Sequence, residues 1–414
     1  MSDTKIINLF KKKIFYLNRS LGGPANLKTI IFIKKILSNL KIKSFKSNTK
    51  IFDWRSPKVW TVKKAYIEDE NKIKIIDIKD NFLHILNYSS KINKVISKKQ
   101  LLKNLYFLKK IPNAIPYVTS YYNKKWGFCL KYNDLKKLKS KKYKVVIDSN
   151  LVEGKIDYAE LFIKGKSKKE IIFSTYICHP NLGNDNFSSV IINTLLAKYL
   201  DKKNAYYSYR FLFIPETIGS INYIKKNFIN LKKNVVAGYV LSCMGKGKKI
   251  NILTKYQENL SFKILYNFLK NNKYSFNIRD WEERGSDERQ YCSPNVNLPF
   301  SLITKNKFMD YKEYHTSLDN LKFIENSDLI NSIKFFKNFV NYLDNQKIFV
   351  SNYSCEPFLS KHDLYSSISS SFLKKKNQDN LINIIDYCDG NKTLDEIGKK
   401  IKIIKKDLNF LIKR

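Results

Sequence analysis

The sequence predicts an α/β fold, a mixed and largely parallel sheet flanked by helices, carrying an inserted β-rich domain and a small helical domain near its C-terminal end. Three observations predict it. From about residue 143, short apolar runs alternate with amphipathic segments, the pattern of a parallel sheet covered on both faces. Between Asp53 and about residue 130, β-like runs separated by polar breaks follow one another, with one helix expected around Lys99–Leu108. After Gln346, a connection rich in Ser and Lys leads to a segment that divides into three short helices.

Length and composition agree with a folded, multidomain chain. The 414 residues exceed the roughly 250–300 that one core supports. The division expected is a discontinuous α/β domain (1–50 and 150–346), an insert (51–149), and a linker with a helical domain (347–414). Hydrophobic residues at 43% and aromatic residues at 14% exclude a disordered chain. The formal net charge of +41 is the kind of excess that attracts phosphate backbones. It comes mostly from Lys spread through every segment together with Asn, Ile, Tyr and Phe, which is the signature of an AT-rich coding background, so nucleic acid is not an expected partner. The six cysteines form no CxxC pair, and no secretory apolar segment stands near the N-terminus. They read as reduced thiols in a cytoplasmic protein. No run reaches the roughly 18–20 apolar residues of a membrane span.

In chain order, residues 4–17 and 26–40 are expected as helices, separated by Gly22, Gly23 and Pro24. Leu27, Ile30, Ile31, Ile33, Ile36, Leu37 and Leu40 give the second an apolar face. Arg19 and Ser20 read as solvated or capping residues. In the insert, His84 sits inside FLHILNY and reads as structural, whereas Tyr117, Tyr121, Tyr122 and Trp126 crowd one loop, where aromatics either cap a core or wall a cleft. YKVVIDS, AELFIKG, EIIFSTYI, YRFLFI, VVAGYVLS, INILT and FSLIT read as strands. Phe187–Leu200, Ile218–Phe228, Leu260–Leu269 and Leu329–Leu343 read as the helices among them. At the C-terminal end, Asp389-Gly390 closes the first short helix, and Thr393 with Glu396 forms a capping box for the second. The triad is winged-helix-like without a full wing, and it reads as a packing or dimerisation module in preference to a DNA reader. A homo-oligomer is among the partners expected.

The chemistry concentrates just past strand ends, where open α/β sheets keep it. FSTYICHPNLGNDNFSSV carries His179 and Asp185, FLFIPETIGS carries Glu216, and EYHTSLDN carries His315. A zinc hydrolase needs three His/Asp/Glu ligands with an open fourth position, and a carboxylate beside the water held there. His179, Asp185 and His315 supply the first, and Glu216 the second. RGSDERQY adds Asp287, which could orient a ligand histidine or bind a substrate amine, with Arg284 and Arg289 to hold a carboxylate or phosphate or to form solvated salt bridges. Asp319 stands as a further supporting carboxylate, and Tyr122 as a substrate-side candidate. Cys243 reads as a buried inert thiol, and Cys178 as pointing to the face of its strand opposite His179.

The blocks HPNLGNDNFSS, IPETIGS and YHTSLDN resemble those of the zinc aminopeptidase superfamily, which includes the glutaminyl cyclases. That resemblance implies a zinc-exopeptidase-like sheet, metal ligands at His179, Asp185 and His315, a general base at Glu216 and a supporting Asp287. Thr217 stands where the superfamily has the second Glu of a Glu-Glu pair, and Ser242-Cys243 where it has a third Asp, so one zinc ion is implied instead of two. DWRSPKVW, IPYVTSYYNKKWGFCL, STYICHPNLGNDN, RGSDERQYCSPNVNLPFSL and CEPFLSKHDLY resemble more closely a bacterial family of aminopeptidase-like proteins. Its members join a peptidase-like domain, an inserted β-rich domain and a C-terminal winged helix, and tend to belong to surface-polysaccharide gene clusters. The expectation is a zinc-dependent hydrolase cleaving the amide of a small peptide or other amide-bearing substrate. The alternative is a non-catalytic binding or regulatory protein on the same fold.

Overall fold

The computed structural model describes residues 1–362 and 372–403. Its centre is an eight-stranded mixed sheet. In spatial order the strands are Lys41–Lys46, Lys155–Ile163, Ser208–Ile214, Glu170–Tyr176, Val235–Leu241, Phe300–Thr304, Ile250–Thr254 and Phe276–Arg279. The four from Ser208–Ile214 to Phe300–Thr304 run parallel, and antiparallel pairings flank them. Glu170–Tyr176 and Val235–Leu241 are buried at every position, as strands covered on both faces must be.

Helices Ser189–Leu200, Ile218–Asn234, Leu260–Asn271 and Asn326–Asp344 lie where periodicity places them. The N-terminal helices are Asp3–Lys13 and Pro24–Lys34, each shorter at its C-terminal end than the sequence pattern suggests. The second starts at Gly23 as its cap with Pro24 in the first turn, because proline's missing N–H costs nothing there.

Two elements differ from expectation. KIKSFK, unassigned by sequence, is an edge strand paired antiparallel with Lys155–Ile163. YKVVIDS belongs not to the central sheet but to a separate four-stranded antiparallel sheet, between Val59–Glu68 and Ile92–Ser97. Its alternating exposure along Lys142–Val152 is the period-2 pattern of a strand with one wet face. The alternation of strand and helix therefore begins one strand later, at Lys155.

The chain leaves the central sheet at Lys46 and re-enters beside it at Lys155. Ser47 N–H donates to the Gly154 carbonyl at 2.9 Å, and Gly154 N–H to Ser47 Oγ at 2.8 Å. The excursion thus starts and ends at one point, which leaves the sheet register undisturbed.

In the C-terminal region Ile348–Val350 pairs antiparallel with Asp389–Thr393. A strand therefore follows helix Phe372–Asp386 where sequence suggested only a turn. Gly390 takes φ +82° there. The Thr393–Glu396 capping box is formed, and the expected third helix lies outside the described residues. No helix among the described residues is long and apolar enough to cross a membrane.

Candidate metal centre

The candidate donors His179, Asp185, Glu216 and His315 sit on loops that follow strands of the central sheet. Beyond Tyr176 the chain runs to His179, which is 5% exposed. Arg19 Nε donates to the His179 carbonyl at 2.9 Å. Arg19 is itself only 1% exposed, with its guanidinium 5.5 Å from the centre of the Phe187 ring. It is not solvated; its Nη1 donates to the carbonyl of Ile14, which caps helix Asp3–Lys13, at 3.5 Å, in line with the capping reading, and its Nε also braces the backbone of a site residue.

The following loop is laced just as tightly. Asp319 Oδ1 accepts from Asn184 N–H at 2.5 Å, Asp319 Oδ2 from Asp185 N–H at 2.9 Å, and its carbonyl from Gly183 N–H at 2.7 Å. A Cβ at Gly183 would come within 2.7 Å of the Asn320 carbonyl oxygen, so this approach needs glycine. Asn184 Oδ1 accepts from the N–H groups of Gly245 and Lys246, and Asn186 Oδ1 from that of Cys243. Two strand-end loops are thereby fastened to each other, and Asp185 is fixed between them.

These braces bring three donor atoms together. His315 Nε2 lies 2.9 Å and His179 Nε2 3.9 Å from Asp185 Oδ2, and one ligand atom from each residue falls within 4.8 Å of the others. Asp185 Oδ2 and His315 Nε2 are both buried, and among the described residues neither has an aligned hydrogen-bond partner. Two imidazoles and a carboxylate are a zinc-type donor set. Orphaned buried atoms that converge on one point are what a cation would satisfy, so the residues fit the ion that the sequence implies. His315 is held at φ +52° with its ring stacked on Tyr314, centroids 4.0 Å apart.

The electrostatics suit ligation. Burial pulls His179 down to about 4, against the pull of Asp185, so the imidazole is neutral with a free lone pair. Burial alone would raise Asp185, but the two imidazoles and the Tyr176 hydroxyl bring it down to about 2. Glu216 behaves in the opposite way. Its Oε2 lies 3.8 Å from His179 Nε2, and its Oε1 accepts from Ser286 Oγ at 3.1 Å. Burial, then the charges of Asp287 and Asp185, push it well above the usual carboxylate range.

The other residues singled out by sequence divide. Asp287 does not touch either imidazole. Its Oδ1 accepts from Thr217 N–H at 2.7 Å and Ser220 Oγ at 2.9 Å, satisfying donors at the start of the helix that follows Glu216. Arg289 reaches the rim, where its Nη2 donates to Thr217 Oγ1 at 3.1 Å. Arg284 turns outward onto Trp281, 5.6 Å from the ring centre. Tyr122 is exposed and donates to the Arg55 carbonyl, on a cleft of about 560 Å³ that it lines with Tyr121 and Lys58 and that contains none of the three donor residues. Cys178 is not turned away from the site: its Sγ accepts from Glu216 N–H at 3.3 Å, because the chain has already left the strand at Tyr176 and strand alternation no longer applies. Cys243 is buried outside the donor set, and His84 bonds the Cys129 carbonyl at 2.8 Å, remote from it in the insert.

Sequence reasoning missed Tyr117 as a site residue. Its N–H donates to the His315 carbonyl at 2.7 Å, and its ring lies 5.4 Å from that of His179 and 5.2 Å from that of His315. Ile115 and Ser317 exchange two further bonds alongside. The insert therefore supplies one wall of the centre. The crowding of tyrosines at 117–122 was the available signal.

A mostly parallel sheet whose strand-end loops converge in this way defines the class: the fold is that of the zinc aminopeptidases. A zinc aminopeptidase from Bacillus subtilis superposes with a TM-score of 0.58 over 82% of this chain and 94% of its own, at 12% identity, and a peptidase M28 precursor from Shewanella amazonensis does so at 0.58 over 84% and 93%, also at 12% identity. More particularly, the chain belongs to the DUF4910 family, described as a domain of unknown function, whose model matches residues 8–347. A winged helix-turn-helix model matches residues 347–414. Clostridium acetobutylicum has a relative, provisionally named a polysaccharide biosynthesis protein with an aminopeptidase-like domain, that is 36% identical over 398 residues, 96% of this chain and 91% of that one. The crystal structure of a provisionally assigned peptidase from the same organism superposes with a TM-score of 0.81 at 34% identity, covering 99% and 94% of the two chains.

Proposed function

We propose that this chain is a single-zinc hydrolase of aminopeptidase type, cleaving an amide bond in a small peptide or in an amide-bearing sugar. The observation that carries the reading is the convergence of His179, Asp185 and His315 within 4.8 Å, with Glu216 Oε2 3.8 Å from the His179 nitrogen. His179 Nε2, Asp185 Oδ2 and His315 Nε2 would hold the ion. When bound, zinc would supply Lewis acidity toward a carbonyl and lower the pKa of a water.

The protein's own residues do the rest. Glu216 Oε2 is placed to take a proton from water and to return it to the leaving nitrogen. A carboxyl lifted by burial and by Asp287 and Asp185 holds that proton well enough to deliver it. Ser286 fixes the other oxygen and so the direction of transfer. Tyr117 and Tyr314, packed on the imidazoles, hold the ligand rings in orientation. Arg289 at the rim would meet an acidic group on the substrate. The polysaccharide role in the name of the Clostridium relative favours an amide on a modified sugar as a substrate to be tried alongside peptides.

Metal analysis tests the reading. Wild-type protein, dialysed free of loosely held ions, is expected to retain one zinc per chain, and His179→Ala and His315→Ala to lose it, together with turnover on a panel of aminoacyl and sugar amides. Zinc absent from the wild type, or unchanged in both variants, would sink it.

A further inference from the structure

Asp185 presents its two oxygens to different company. Oδ2 faces the imidazole nitrogens of His315 and His179. Oδ1 receives the hydroxyl proton of Tyr176, the last residue of strand Glu170–Tyr176. A phenol has one proton to give. With that proton committed to the carboxylate, the Tyr176 oxygen accepts from Ser242 Oγ, 2.7 Å away. The row of polar atoms continues to Cys243 Sγ, 3.4 Å from Ser242 Oγ, and to the Tyr311 hydroxyl, 3.6 Å further on. Tyr176, Ser242 and Cys243 are all buried.

This row consists of hydroxyls and one thiol. Hydroxyls and thiols carry their protons in their ordinary states near neutral pH, so this row brings no negative charge of its own. A divalent ion needs several deprotonated ligands; between Asp185 and the Tyr311 hydroxyl this row offers none, and the next carboxylate oxygen, Asp319 Oδ2, lies 3.5 Å beyond Tyr311 and already accepts from Asp185 N–H. A hydrogen bond from a neutral phenol satisfies a buried carboxylate oxygen without bringing in net charge.

We propose that the Tyr176 hydroxyl stands in for a second cation: by donating to Oδ1 it confines Asp185 to one ion through Oδ2 and excludes another. Tyr176 is a positioning residue in this scheme, and its ring, 4.9 Å from that of His179, packs on a second ligand as well. The inference rests on the single-zinc reading above, and the experiment separates the two.

The test is zinc titration against a competing chelator, with cobalt(II) absorption as a second readout and circular dichroism to verify folding. Wild type should saturate at one equivalent. Tyr176→Phe should keep one equivalent with affinity weakened by about 10–100-fold, the range for losing a partner behind a metal ligand. Adding Ser242→Asp to Tyr176→Phe should create a second site, saturating at two equivalents. Unchanged affinity in Tyr176→Phe, or one equivalent in the folded double variant, would overturn the inference alone, whereas two equivalents in the wild type would overturn it together with the single-zinc reading. Should the double variant fail to fold, the affinity of Tyr176→Phe decides. No metal in the wild type overturns the parent reading and this one with it.

Discussion

Asp185 and Glu216 face the same nitrogen of His179, at 3.9 and 3.8 Å, yet one carboxyl is held down to about 2 and the other pushed well above its usual range. Burial raises both, so burial is not what separates them. Asp185 has two imidazoles and a phenol proton around it, whereas Glu216 has Asp287 and Asp185. Neighbouring charge therefore separates the two carboxyls, as the proposed roles require, Asp185 for a cation and Glu216 for a proton.

Glu216→Gln is the sharpest way to break that contrast. It is expected to retain zinc and to lose turnover by about 10²–10⁴-fold, the scale of a general acid–base group. Loss of zinc instead would move Glu216 into the ligand set, retained turnover would take the general-base role away from Glu216, and a wild type that turns over no amide yet binds a ligand or DNA tightly would favour a binding protein. A smaller effect is expected on the metal side from Asp319→Ala. With Asn184 and Asp185 N–H left unpaired, zinc affinity should fall by about 10–100-fold, and stability by about 1–3 kcal/mol, read by denaturant titration. Zinc affinity equal to wild type would mean that the loop keeps its shape without Asp319. The smallest effect belongs to His84→Gln, which should leave zinc content unchanged and cost about 1 kcal/mol for the bond to the Cys129 carbonyl. A change in zinc stoichiometry there would overturn the assignment of that histidine to the insert's packing.

Much of the central fold was legible because burial on both faces leaves unbroken apolar runs such as EIIFSTY and VVAGYVL, both buried throughout. YKVVIDS misled because its sequence carries the same valines and isoleucines; only pairing with Val59–Glu68 and Ile92–Ser97 shows which sheet claims it. Asp287 and Tyr117 were harder still. An acidic residue beside arginines looks alike whether it meets an imidazole or two donors at a helix start. The contact between the Tyr117 loop and the His315 loop, exemplified by Ile115 and Ser317 at 202 residues apart, has no local signature.

What the amino-acid sequence determined by itself was the chemistry on offer. Two histidines and an aspartate lie past strand ends, a glutamate follows a third strand, and threonine and serine stand where further carboxylates would be. Residue type sets which atoms can bind a cation, and that much survives without coordinates. The tertiary structure alone decided which oxygen of Asp185 meets the imidazoles and which meets Tyr176, and which carboxyl is pushed up and which is held down. Those depend on desolvation and on charges only a few ångströms away, contributed by segments that become neighbours only when the sheet, the insert and the N-terminal arginine pack together.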